Sequence, residues 1–125
     1  RCANEIARSI LEEFGKVEIG IIGYQPALIE ACAKAFGEDK VRVTDLDKAN
    51  IGDIRYGVEI WDGSRRTGEL IKRSDLLLIT GTVAVNDSLD QIIEIAGDKT
   101  YIFYGITISG IAELLGLRRY CFYGK

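Results

Sequence analysis

The side chains in this sequence that could do chemistry fall into short polar clusters rather than one catalytic motif. The densest is Thr80-Gly81-Thr82-Val83-Ala84-Val85-Asn86-Asp87-Ser88, which gathers hydroxyls, an amide and a carboxylate. Set between a strand and a helix N-terminus, such groups are oriented by backbone and helix dipole toward an anionic or hydrogen-bonding ligand. Thr82 and Asn86 could equally satisfy the backbone of their own loop. Asp45 lies about twenty residues beyond Gly23, the spacing at which a carboxylate commonly grips a ribose diol in dinucleotide and adenosyl sites. A capping or solvated aspartate has the same spacing, and Asp47 reads more readily that way. Gly23-Tyr24-Gln25-Pro26 lacks the G-x-G-x-x-G pattern that brings backbone close to a pyrophosphate, which disfavours conventional NAD binding. Here the glycine either makes a tight turn or presents Tyr24 and Gln25 to a ligand. Gly105-Ile106-Thr107 adds a further glycine and hydroxyl.

The chain contains no histidine, so acid–base chemistry falls to carboxylates, Lys, Tyr or a cysteine, and no catalytic residue can be assigned. Oxygen ligands for a hard cation exist in Asp45, Asp47, Asp87 and Asp90, but no spacing defines a metal site. The three cysteines, Cys2, Cys32 and Cys121, show no CxxC pair, which argues against a thiolate zinc site and a disulfide framework. Cys32 shares a helix face with Leu28, Ala31, Ala35 and Phe36, and Cys121 alternates within a strand, so both read as small core residues.

Elements that must position these groups are legible from periodicity. Cys2, Ile6, Ala7, Ile10, Leu11 and Phe14 recur at helical spacing ahead of Gly15. Val17 to Ile22 is a strand closed by Gly23, and Pro26 opens a helix through Phe36. Lys40 to Thr44 and Gly57 to Trp61 are the second and third strands, with an irregular stretch around Asn50 to Gly52 and a short helix over Thr67 to Lys72. Leu76 to Thr80, the most saturated apolar run, reads as a central strand of a parallel sheet. Ser88 and Gln91 form a capping box for a helix running through Ala96. Thr100 to Tyr104 is a fifth strand, Ile111 to Leu115 a short helix, and Arg119 to Tyr123 a last strand.

Strands alternating with helices predict an α/β class: a three-layer, Rossmann-like, doubly wound and mostly parallel six-stranded sheet of order 3-2-1-4-5-6. Ligands of such sheets collect outside the carboxyl ends of the strands at the switch point. The expected ligand-binding residues are therefore Gly23, Tyr24, Gln25, Asp45, Gly81, Thr82, Asn86, Gly105 and Thr107.

Composition bounds the function. At 125 residues, 47% apolar and 28% charged, the chain predicts one globular domain over residues 1–125. A net charge of −3 without a basic stripe disfavours nucleic acid. With no long apolar run and no signal peptide shape, neither a membrane span nor export is expected, and the chain reads as cytoplasmic. The absence of methionine means that Arg1 is not a translation start, so further residues are expected upstream. Tyr101, Phe103, Tyr104, Tyr120, Phe122 and Tyr123 crowd the last two strands, either covering the sheet edge or forming a homodimer interface.

The stretch Leu78-Ile79-Thr80-Gly81-Thr82-Val83-Ala84-Val85-Asn86-Asp87-Ser88-Leu89-Asp90 resembles the T-G-T-x-x-V-N-x-[ST]-L-D signature of the DUF364 family, labelled a heavy-metal chelation domain. Val43-Thr44-Asp45-Leu46-Asp47, Asn50-Ile51-Gly52 and Gly57-Val58-Glu59-Ile60 are similar to its middle section. The resemblance implies a Rossmann-like carboxyl-terminal domain, preceded in longer members by a smaller domain similar to the enolase amino-terminal fold, with a ligand cleft between them. Where many members carry G-P-[ST], this chain has Gly105-Ile106-Thr107.

The leading expectation is a small-molecule-binding domain for a polar metabolite or nucleotide-like ligand, its cofactor unspecified by the sequence. Two alternatives accompany it: a metal-chelating protein, and an adenosyl- or nucleotide-dependent enzyme in which Asp45 holds a ribose and Asp87 acts as base.

Overall fold

The structure, a computed structural model, describes residues 2–80 and 89–104. In chain order these form α1 (Cys2–Phe14), β1 (Ile19–Ile22), α2 (Pro26–Phe36), a 3-10 turn (Glu38–Lys40), β2 (Val41–Asp45), β3 (Ile54–Arg55), β4 (Val58–Asp62), α3 (Gly63–Arg73), β5 (Leu76–Thr80), α4 (Leu89–Ala96) and β6 (Thr100–Tyr104).

The strands make a six-stranded sheet of order β3-β4-β2-β1-β5-β6. All neighbours run parallel except β3, which pairs antiparallel with β4. The expected α/β, mostly parallel layout is therefore the one found, with strands one and four adjacent as β1 and β5. The expected strand over residues 119–123 lies outside the described residues. Within them the sixth strand is the two-residue β3 at the opposite edge, just beyond the irregular stretch expected around Asn50 to Gly52 and not itself expected. It turns back into β4 through Tyr56 and Gly57, both at positive φ (55° and 84°), as a type I′ hairpin requires.

Two cores follow from the alternation of side chains along the strands. On one face Ile19, Ile21, Val41, Val43, Leu76 and Leu78 pack against Ala3, Ala7 and Ile10 of α1 and Leu28, Ile29, Cys32 and Phe36 of α2. On the other, Ile22, Leu77 and Ile79 pack against Leu70 and Ile71 of α3 and Ile92 and Ala96 of α4. All five residues of β5 are buried, consistent with a strand covered on both faces. Gly20 faces the second layer, and a Cβ there would come within 2.6 Å of Leu70 Cδ2 and overlap Ser74 Oγ. The glycine inside β1 thus lets α3 approach the sheet closely.

Of the aromatic residues expected at the sheet edge, Tyr104 is buried in the first core and Tyr101 half-buried against the second. Those at 120–123 lie outside the described residues. At the amino edge, Glu18 bridges Lys40 and Arg42, and its N–H donates to Asp75 at 3.0 Å. Among the described residues no helix is long and apolar enough to cross a membrane.

Candidate functional site

Register brings the ends of β1 and β2 level. Ile22 pairs with Thr44, and the Gly23 N–H extends the ladder by donating to the Thr44 carbonyl at 2.8 Å. Gly23 then turns the chain at φ 101°, a conformation that favours glycine. Asp45 follows at the end of β2 and is 8% exposed. Its Oδ1 accepts the Tyr24 N–H at 3.0 Å, while Oδ2 accepts the Asp47 N–H at 3.2 Å and Asn50 Nδ2 at 2.9 Å. An ionised carboxylate offers about four acceptor directions. The bonds to described residues use three of them, one on Oδ1 and two on Oδ2. Asp45 is thus first a clamp that holds the β1–α2 loop against the β2–β3 loop.

The Tyr24 side chain packs on the first core, and its hydroxyl accepts from Arg55 Nε at 3.1 Å. Arg55 also pairs with Asp53 at 3.0 Å. The short β3 strand is thereby tied to the same loop cluster.

α3 begins beside Asp45. Asp62, opposite Asp45 in the ladder, caps the helix: its Oδ1 accepts the Ser64 hydroxyl at 2.7 Å and the Ser64 N–H at 3.0 Å. Those two bonds, hydroxyl first, hold its carboxyl below the ordinary aspartate value. A Cβ on Gly63 would lie 2.9 Å from the Asp45 carbonyl oxygen, so the helix can start this close to β2 only with glycine there. Thr67 Oγ1 donates to the Gly63 carbonyl at 2.6 Å and lies 3.3 Å from Thr44 Oγ1. Gly68 is different in kind: a Cβ there would meet nothing within 4 Å. A glycine inside a helix costs about 1 kcal/mol relative to alanine, and among the described residues neither close packing nor backbone conformation accounts for this one.

These elements enclose a cleft of about 640 Å³, within the roughly 300–1,000 Å³ common for small-molecule sites. One wall is the loop pair Gly23–Tyr24 and Asp45–Asp47 with Asn50; the second is the first turns of α3, from Gly63 to Gly68; the third is Gln91, Ile92 and Ile95 of α4. The cleft lies over the carboxyl ends of β1 and β2, on the α3–α4 face of the sheet. Its surface is mixed, with polar groups on Asn50, Ser64, Thr67 and Gln91, and apolar ones on Ile22, Leu46, Ile92 and Ile95.

Of the residues singled out in the sequence, the structure brings Gly23, Tyr24 and Asp45 together on this cleft. Gln25 serves α2 instead, its Oε1 accepting the Ala27 N–H at 3.3 Å as the helix cap. Gly81, Thr82, Asn86, Asp87, Gly105 and Thr107 lie outside the described residues, as does the side chain of Asp90. Thr80, just before them, is buried with its Oγ1 unpartnered among the described residues, but by alternation with Leu76 and Leu78 it faces the α1–α2 side and not the cleft. The α3 wall was missed because the expected helix began at Thr67. The available signal was Asp62, a favoured N-cap residue, directly before Gly63-Ser64.

A family model described as DUF364, "Putative heavy-metal chelation", matches residues 6–119. The chain belongs to the DUF364 family. No curated protein and no solved structure matches it. In this DUF364 member, no group of three His, Cys, Asp or Glu side chains among the described residues is arranged to hold a metal ion. Asp47 lines the cleft, but its Oδ1 already accepts the Ala49 N–H at 2.9 Å. Cys32 is a free thiol sealed in the first core, and burial pushes it up to about 12, so at neutral pH it is protonated and a poor ligand for a soft metal.

Proposed function

We propose that this chain is a small-molecule-binding domain whose polar metabolite or nucleotide-like ligand sits in the cleft over the carboxyl ends of β1 and β2. The observation that carries the reading is the Asp45 clamp. A buried carboxylate draws in donors from two loops, and this organises one wall of a cavity large enough for a metabolite. Asn50, Ser64, Thr67 and Gln91 supply hydrogen-bonding side chains around an apolar floor, the usual division between orientation and affinity in such sites. The service of Asp45 is to hold the two loops that form this wall.

The test is thermal shift of the full-length protein against a panel of polar metabolites and nucleotides. A ligand in excess over its Kd raises the melting temperature by mass action. The proposal fails if no member of the panel stabilises the protein.

The family description favours a second reading, metal chelation. Elemental analysis of protein purified without chelators tests it: stoichiometric metal supports chelation, and its absence together with a metabolite-induced shift supports the first reading.

A further inference from the structure

Three features of the cleft are not accounted for by core packing among the described residues. Leu46 and Ile95 are large apolar side chains left 51% and 48% exposed, and both line this cavity from different walls. Gly68 leaves a gap among the α3 side chains that line the cleft, although a Cβ there would meet nothing within 4 Å among the described residues. Arg65 is exposed, lines the same cavity, and has no ion pair or hydrogen bond among the described residues. The other α3 arginines are engaged, Arg66 with Glu69 at 3.1 Å and with the Trp61 ring at 3.5 Å, and Arg73 with Glu69 at 3.2 Å.

Each feature is explained by one kind of occupant. An exposed leucine and isoleucine that line one cavity with a helical glycine suit a flat apolar body, since they gain from being covered and the glycine gives a ring room to lie against the backbone. Arg65 and Gly68, three residues apart on α3, share a helix face, so a ring lying on Gly68 carries its substituents toward the guanidinium. That guanidinium is suited to bind a phosphate or carboxylate through paired N–H groups.

Resting on the proposed function of this cleft, we propose that its ligand is a planar heterocycle bearing an anionic group, of the nucleoside monophosphate class. The ring lies between Gly68 and the Leu46 and Ile95 side chains, and the anion pairs with Arg65. The Asp47 carboxylate, which lines the same cleft, takes the remaining hydroxyl donors.

The experiment is calorimetric titration of the full-length protein with AMP, adenosine and inorganic phosphate, repeated on Arg65→Ala, Gly68→Ala and Gly68→Leu. AMP is expected to bind about tenfold or more tightly than adenosine, as befits a charge-assisted contact, and Arg65→Ala to remove that difference while leaving adenosine binding intact. Gly68→Ala is expected to raise the melting temperature of the free protein by about 3 °C. Gly68→Leu, in a protein that still melts cooperatively, is expected to weaken AMP and adenosine alike by about tenfold or more. Unchanged AMP binding in Gly68→Leu, or equal affinities for AMP and adenosine in the unmodified protein, overturns the assignment. If another panel compound stabilises the protein while AMP and adenosine do not bind, this inference falls and the cleft reading stands. If no compound stabilises it, both fall.

Discussion

The Asp45 carboxylate accepts the backbone N–H of Tyr24 across 3.0 Å, joining residues twenty-one positions apart at the same rim of the sheet. Parallel pairing of β1 with β2 makes the contact available, because strands that run in one sense deliver their following loops to a common edge. The carboxylate then fixes the loops relative to each other. The expectations below follow from this bond and its neighbours.

Replacing Asp45 by alanine strips an acceptor from three donors in a nearly buried site. A loss of about 3 kcal/mol is expected, in the range for removing a buried, charge-assisted hydrogen-bonding partner. Urea denaturation of the variant against the parent protein measures it, and a loss within error of zero would mean the clamp contributes nothing.

Gly20→Ala places a methyl against Leu70 Cδ2, Leu77 Cδ2 and Ser74 Oγ between β1 and α3. Overpacking of this kind costs about 1–3 kcal/mol, so the midpoint of urea denaturation should fall. Gly68→Ala, in the same sheet–helix layer but open to the cleft, should shift the midpoint in the opposite direction. The contrast in sign separates a glycine required by packing from one the fold does not require.

Asp62 has a folded-state pKa below its ordinary value of 3.8. A depressed carboxyl stabilises the folded state above its unfolded pKa and loses that contribution as pH falls through the folded pKa. The melting temperature of Asp62→Ala should therefore lie a few degrees below the parent near neutrality, and the gap should narrow once the pH drops below 3.8. Calorimetry across acid pH follows the gap; one that is unchanged in acid would remove the cap's ionic part.

Cys32 should be inert while the fold is intact. In a Cys2→Ser, Cys121→Ser background, reaction with a thiol reagent at neutral pH is expected to be slow and to accelerate only as denaturant opens the core, since the buried thiol sits at about 12. Rapid labelling in native buffer would contradict its placement between α2 and the sheet.

How much of this could be read in advance depended on whether the signal was local. β5 was legible residue for residue, because Leu76-Leu77-Leu78-Ile79-Thr80 is apolar without interruption and only a strand covered on both faces tolerates that. The position of Asp45 was legible too, since it follows from strand order. Its bonding was not, because the Tyr24 N–H and the Asn50 amide reach it only through the fold. The β3–β4 hairpin escaped notice because Tyr56 adopts φ 55° where Asn, Asp or Gly would have signalled the turn. The start of α3 escaped because Gly63-Ser64-Arg65-Arg66 has no apolar periodicity. Its first turn faces a cleft and not a core, so hydrophobic spacing carries no information there.

The central claim is that these loops and the start of α3 form one binding cleft. Titration of isotopically labelled protein with the compound that gives the largest thermal shift, followed by amide NMR, tests it most directly. The perturbed amides should cluster on Gly23, Tyr24, Asn50, Ser64, Gly68 and Gln91. Perturbations confined to α1 and the amino edge around Glu18 and Lys40, with those cleft amides unmoved, would contradict it.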